Sequence, residues 1–96
     1  MKQIICTEKA PEAIGPYSQA VKSGNTVYLS GQIGVDPETQ ALVQGGVSAE
    51  AEQLFKNMEQ VVHAAGGSLH SVVKLTLYLL DMDNFNCVND IMKNYW

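Results

Sequence analysis

The sequence predicts a single α+β domain in which a mixed sheet carries two helices on one face. Three stretches predict it. Ser23-Gly24-Asn25 separates two short β-prone runs and reads as a hairpin turn. Apolar residues from Ala51 to Ala65 recur at helical spacing. An alternating run from Ser71 to Leu80 reads as a strand, and a second helical pattern follows it. A strand on each side of a helix implies a crossover connection within one sheet.

The elements follow in order. Gln3-Ile4-Ile5-Cys6 is β-prone and fits an edge strand. Thr7 to Pro16 carries two prolines and Gly15 and should be irregular. Ser18–Val21 and Thr26–Ser30 form the hairpin, with Val27 and Leu29 on one face and Tyr28 and Ser30 on the other. Gly31 ends the regular pairing and leaves backbone open to close approach. Asp36-Pro37-Glu38-Thr39 has turn chemistry, and Gly45-Gly46 is a further break. Ser48 is the expected N-cap of the first helix, with Glu50 and Glu52 in its first turn. Ala51, Leu54, Phe55, Met58, Val61, Val62 and Ala65 form its apolar stripe, and Gly66-Gly67 closes it.

In the strand from Ser71 to Leu80, Val73, Leu75, Leu77 and Leu79 should face the helices, with Val72, Lys74, Thr76, Tyr78 and Leu80 opposite. Asp81 and Asp83 suit the start of a second helix, where Phe85, Val88, Met92 and Tyr95 recur with Ile91 beside them. Asn89 falls in the middle of that helix, a mildly unfavourable place that calls for a reason.

Composition narrows the function. At 96 residues the chain is one domain, residues 1–96, able to bury a modest core. A net charge of −4, with every basic residue a lysine, argues against nucleic-acid binding, which relies on clustered cations. Without arginine there is no planar fork for two-point recognition of carboxylate or phosphate. Cys6 and Cys87 are far apart and read as free thiols in a reducing compartment. No apolar run reaches the ~20 residues that span a bilayer, and the first residues are too short for a signal peptide, so a cytoplasmic location is expected.

No chemistry follows from spacing alone. There is no Walker loop, GxGxxG, HExxH or GxSxG. His63 and His70 have no second ligand or nucleophile spaced to work with them, so no metal site is expected. Attention falls instead on Ala10-Pro11-Glu12-Ala13-Ile14-Gly15-Pro16-Tyr17-Ser18-Gln19-Ala20 and on Ser30-Gly31-Gln32. Taken alone the first stretch reads as a turn with a core tyrosine, next to a polar cluster around Tyr17 and Ser30.

These residues carry a resemblance. Ala-Pro-Glu-Ala-Ile-Gly-Pro-Tyr-Ser-Gln-Ala, Val-Tyr-Leu-Ser-Gly-Gln-Ile-Gly-Val-Asp-Pro and Val-Val-Lys-Leu-Thr-Leu-Tyr-Leu-Leu-Asp-Met-Asp-Asn-Phe follow one another as in the YjgF/RidA/UK114 (L-PSP) family of imine and enamine deaminases. The likeness runs along essentially the whole chain. It implies a chorismate-mutase-like fold assembled as a homotrimer, with sites in the clefts between subunits and no cofactor. The implied substrate is a reactive 2-imino or 2-enamino acid, released by pyridoxal-phosphate enzymes that dehydrate serine or threonine. Hydrolysis yields a 2-oxo acid and ammonia.

Residue by residue, the resemblance makes Tyr17 the side chain that closes over the substrate. It makes Ser30 and Gly31 the strand-end pair that contacts the substrate, Gly31 through its backbone, and Asn89 a residue bordering the cleft. The family's carboxylate-binding arginine and water-associated glutamate belong to a segment that follows the part matched here, as do two closing strands, one of them central in the sheet. The strands at Thr26–Ser30 and Ser71–Leu80 should then lack a shared neighbour, leaving the fold marginal, rearranged or completed by another chain, with edges open to strand exchange. Two rival readings stand beside the enzyme: an endoribonuclease or translation inhibitor, and a catalytically inactive binding or chaperone-like protein.

Overall fold

The computed structural model describes residues 2–96. Strands β1 (Lys2–Ile5), β2 (Ala20–Ser23) and β3 (Thr26–Leu29) form one antiparallel sheet in that order. Ile5, Ala20 and Leu29 lie in one cross-strand row, and Ile4, Val21 and Tyr28 in the next. The first row faces the core: Ile5 and Ala20 are buried and Leu29 packs against them. Ile4 and Tyr28 stand exposed on the other face. The period of two read from Val27 and Leu29 therefore holds. The β2–β3 turn places Gly24 at φ +62°, backbone that a side-chain-bearing residue seldom adopts.

A second, two-stranded ribbon joins β4 (Val35–Asp36) to β5 (Ala41–Leu42). Its turn is built by Asp36, whose Oδ1 accepts the Glu38 N–H at 2.8 Å, and whose carbonyl accepts the Gln40 N–H at 2.8 Å.

Helix α1 (Gly46–Ala64) is the spine of the core. Ala51, Phe55, Met58, Val61 and Val62 of its stripe are buried, while Leu54 and Ala65 pack at the margin. Val61 meets the β1–β2–β3 sheet, and Phe55 meets α2 (Phe85–Met92) and the residues after it. Phe55 is fully buried, with the Tyr95 ring 5.5 Å away and Trp96 edge-on at 5.7 Å. Burial of one such side chain stabilises by about 1.5–3 kcal/mol. The Tyr95 hydroxyl also donates to Glu52 Oε2 at 2.7 Å, and Trp96 Nε1 donates to the Leu69 carbonyl at 2.9 Å. Helix α1 ends as expected. Gly66 at φ +90° donates to the His63 carbonyl and Gly67 to the Val62 carbonyl, the paired bonds that close a helix through a left-handed residue.

Three expectations are corrected. The start of α1 is set by Gly45, at φ +117°, and not by Ser48, and no acidic residue lies in its first turn. The helix begins two residues before Ser48, so Ser48 is already inside it. Its hydroxyl contacts Cys87 Sγ at 3.1 Å.

The run Ser71–Leu80 is not a strand. Leu69–Ser71 form a short 3-10 turn, and Val72–Leu80 pair with nothing among the described residues. Alternation gives a chain two faces, but a strand also needs a neighbour to complete its ladder. Leu77 and Leu79 still pack on the helices, whereas Val72 packs in place of Val73, which is 99% exposed. The described sheets are accordingly antiparallel only, with no parallel pairing across α1.

The third correction is Tyr17. It is 52% exposed and not a core residue. The α+β class stands, as do two helices packed together against the sheet.

Candidate active site

The segment from Cys6 to Gln19 has no regular structure, so its backbone groups need other partners. One side chain supplies four of them. Gln19 is 4% exposed, and its Oε1 accepts the Thr7 N–H at 2.6 Å. Its Nε2 donates to the carbonyls of Pro11 at 2.8 Å, Thr7 at 3.0 Å and Ala10 at 3.3 Å. Ala10 is buried beneath this clamp. The segment is also tied to the β4–β5 turn, where Gln40 Oε1 accepts the Glu12 N–H at 3.3 Å.

Downstream of the clamp the chain tightens. Tyr17 N–H donates to the Gly15 carbonyl at 2.8 Å, and the Tyr17 ring lies against Gly15. A Cβ at Gly15 would stand 3.2 Å from two ring carbons, closer than ordinary contact. Gly15-Pro16 therefore aims the phenol outward and not into the core.

Ser30 and Gly31 follow the end of β3. Ser30 is joined to the Tyr17 segment twice: its N–H donates to the Gln19 carbonyl at 3.0 Å, and its hydroxyl donates to the Ser18 carbonyl at 2.5 Å. A carbonyl cannot donate, so the Ser30 proton is committed and its Oγ presents only lone pairs to an incoming group. Beside it, a Cβ added at Gly31 would meet nothing within 4 Å, which leaves its backbone open.

The turn beyond is fixed by Asn57 of α1, 1% exposed. It donates to the Val35 carbonyl at 2.8 Å and the Ile33 carbonyl at 3.2 Å and accepts from Gln53 at 2.8 Å. A cavity of about 600 Å³ opens between the end of β1, this segment and the β4–β5 turn, with Thr7, Glu8, Tyr17, Ser18 and Gln40 on its walls.

Of the four residues singled out from the sequence, only Tyr17 lines the cavity; Ser30 is bonded to the backbone of Ser18 and Gln19, which do line it, and Gly31 follows Ser30 in the chain. Asn89 is half-buried on α2 and does not line that cavity. His63 and His70 are both exposed, and no cluster of three metal-ligating side chains exists among the described residues. Tyr95 is pushed up to about 12, first by burial and then by its hydrogen bond to Glu52 and the charges of Glu52 and Glu59. It lies in the α1–α2 contact and not in the cavity.

Sequence reasoning missed Gln19 and Asn57. The signal for Asn57 was present: an asparagine inside a helix, the argument that singled out Asn89, applies to it equally. Gln19 carried no such signal, because a glutamine beside a strand is ordinarily solvated.

The endoribonuclease L-PSP family model matches residues 7–96. The human protein named 2-iminobutanoate/2-iminopropanoate deaminase is 52% identical over 96 residues, covering 100% of this chain and 70% of its own length. Among solved structures, RidA from an Antarctic Psychrobacter species is 51% identical with a TM-score of 0.94, covering 98% of this chain and 76% of that one. E. coli TdcF with bound serine is 38% identical with a TM-score of 0.91, covering 97% and 72%.

Proposed function

Because the chain belongs to the endoribonuclease L-PSP family, we propose that it hydrolyses 2-imino and 2-enamino acids to 2-oxo acids and ammonia. The observation that carries this reading is the alignment of all 96 residues with a protein named for that reaction. The local geometry supports it. Water adds to the iminium carbon, its oxygen becomes the carbonyl oxygen, the C–N bond breaks, and nitrogen leaves as ammonium carrying both protons that water gives up.

That sequence needs a group that orients water or the iminium N–H, and an enclosure that excludes bulk solvent. Ser30 Oγ, with its own proton held by Ser18, accepts from either donor. Gly31 admits the ligand against its backbone. Tyr17 is exposed beside them and closes over the ligand. Asn89 joins them from a neighbouring copy, in a homotrimer whose clefts lie between chains, located in the cytoplasm. In the resemblance set out above the carboxylate anchor is an arginine, and residues 1–96 contain none. The groups assigned here are those at the imine end of the substrate.

The test generates 2-aminoacrylate in place with a serine dehydratase and follows ammonia and pyruvate. The protein should accelerate release, and Tyr17→Phe and Ser30→Ala should each slow it by about tenfold or more. No acceleration over the dehydratase alone refutes the reading. The ribonuclease reading is separated by RNA binding at low salt, where a net charge of −4 predicts none. Sedimentation tests the trimer.

A further inference from the structure

We infer that Gln19 is a positioning residue for this reaction, holding Tyr17 and Ser30 in register across the cleft; the inference rests on the deaminase reading above. The side chain is saturated. Its carbonyl takes the Thr7 N–H, and its two amide hydrogens are shared among the Pro11, Thr7 and Ala10 carbonyls. A buried group with every donor and its acceptor engaged has nothing left to offer a substrate, so Gln19 acts through what it holds.

What it holds is the approach to Tyr17. Residues 6–18 contain no strand or helix; the clamp ties residues 7, 10 and 11 to the start of β2, beside the Ser30–Ser18 bond and the exposed Glu12–Gln40 contact. The same residue reaches the other wall through its backbone, because its carbonyl accepts the Ser30 N–H while the adjacent Ser18 carbonyl accepts the Ser30 hydroxyl. Tyr17 immediately precedes that dipeptide. One residue therefore links both proposed contacts, and it needs a neutral group with donors and an acceptor in one plane. Among side chains of this length only glutamine supplies that. Methionine matches its length without polarity, and glutamate keeps the acceptor but loses the donors facing three carbonyls.

The experiment uses the full chain with Gln19→Met and Gln19→Glu, at temperatures where each remains folded. Two quantities are read: kcat and KM for imine hydrolysis in the dehydratase-coupled assay, and backbone hydrogen exchange in residues 12–18 and 51–62. Both substitutions should lower kcat/KM by about tenfold to a hundredfold, the penalty of a misplaced but intact contact. Exchange in residues 12–18 should accelerate by about tenfold or more while α1 keeps its protection. Should Gln19→Met fail to fold, Gln19→Asn takes its place, keeping the amide one methylene short.

A kcat/KM within twofold of the parent overturns the inference. So does acceleration spread equally over residues 12–18 and 51–62, which marks a general loss of stability. If the parent chain releases no ammonia beyond the dehydratase alone, the deaminase reading falls. Gln19 is then judged by exchange, where selective loosening of residues 12–18 supports its positioning role and uniform or absent loosening overturns it.

Discussion

Replacing Asn57 tests how the segment after Gly31 is held, and the structure sets the size of the effect. Asn57→Leu keeps the branching and heavy-atom count, with methyls bulkier than the amide groups they replace, and removes three hydrogen bonds, to Val35, Ile33 and Gln53. Their consequences differ. The Ile33 carbonyl retains a second partner, the Val35 N–H at 2.8 Å, and Gln53 is half-exposed and can turn to water. The Val35 carbonyl is the group left facing an apolar side chain. One orphaned buried acceptor costs about 1–3 kcal/mol. In a domain of this size that lowers the melting temperature by roughly 5–20 °C.

Asn57→Asp asks a sharper question. Ionised, the new carboxylate would sit buried against two carbonyls, a cost of about 3–5 kcal/mol for an uncompensated charge. Protonated, it can still donate to Val35. Its folded pKa is therefore raised above the unfolded value of about 3.9. A raised pKa contributes stability that is present below the unfolded pKa and lost as pH rises. Thermal denaturation against pH should show this variant near the parent at about pH 3–4 and far below it at neutral pH. The Asn57→Leu deficit should stay flat with pH. Two results would refute the reasoning: Asn57→Leu melting within about 2 °C of the parent, or the two variants sharing one pH profile.

Other outcomes follow from single sites. Gly31→Ala adds a methyl into open space and should leave the melting temperature unchanged while lowering kcat/KM for imine hydrolysis. Gly34→Ala places its Cβ 2.6 Å from the Glu50 Cα and should destabilise by about 1–3 kcal/mol, read by denaturant titration. Tyr95, raised to about 12 in the fold, stabilises below the unfolded value of 10 and loses that contribution as pH climbs toward 12. Tyr95→Phe should remove this alkaline loss, seen as a smaller drop in melting temperature between pH 10 and 12.

Sequence by itself determined whatever rests on local periodicity and backbone stereochemistry. The α1 stripe was legible because packing every third or fourth residue against a sheet needs apolar side chains there, and Phe55, Val61 and Val62 are buried accordingly. The β2–β3 turn and the close of α1 were legible because Gly24 and Gly66 occupy positive φ. Tyr17, Ser30 and Gly31 were legible as a group through the resemblance alone, since nothing in their spacing announces chemistry.

Tertiary structure decided everything that depends on a partner distant in the chain. Alternation in Ser71–Leu80 looks like a strand, but a ladder requires a neighbour, and none pairs with it among the described residues. Tyr17 reads as core or cleft with equal ease until the turn at Gly15 turns it outward. Gln19 and Asn57 were invisible as organising residues because an amide's role is fixed by the carbonyls it meets, and those lie 8–12 and 22–24 residues away. Side-chain patterning is written in a few neighbouring residues, whereas the pairing of buried backbone groups is settled only when the whole chain has closed around them.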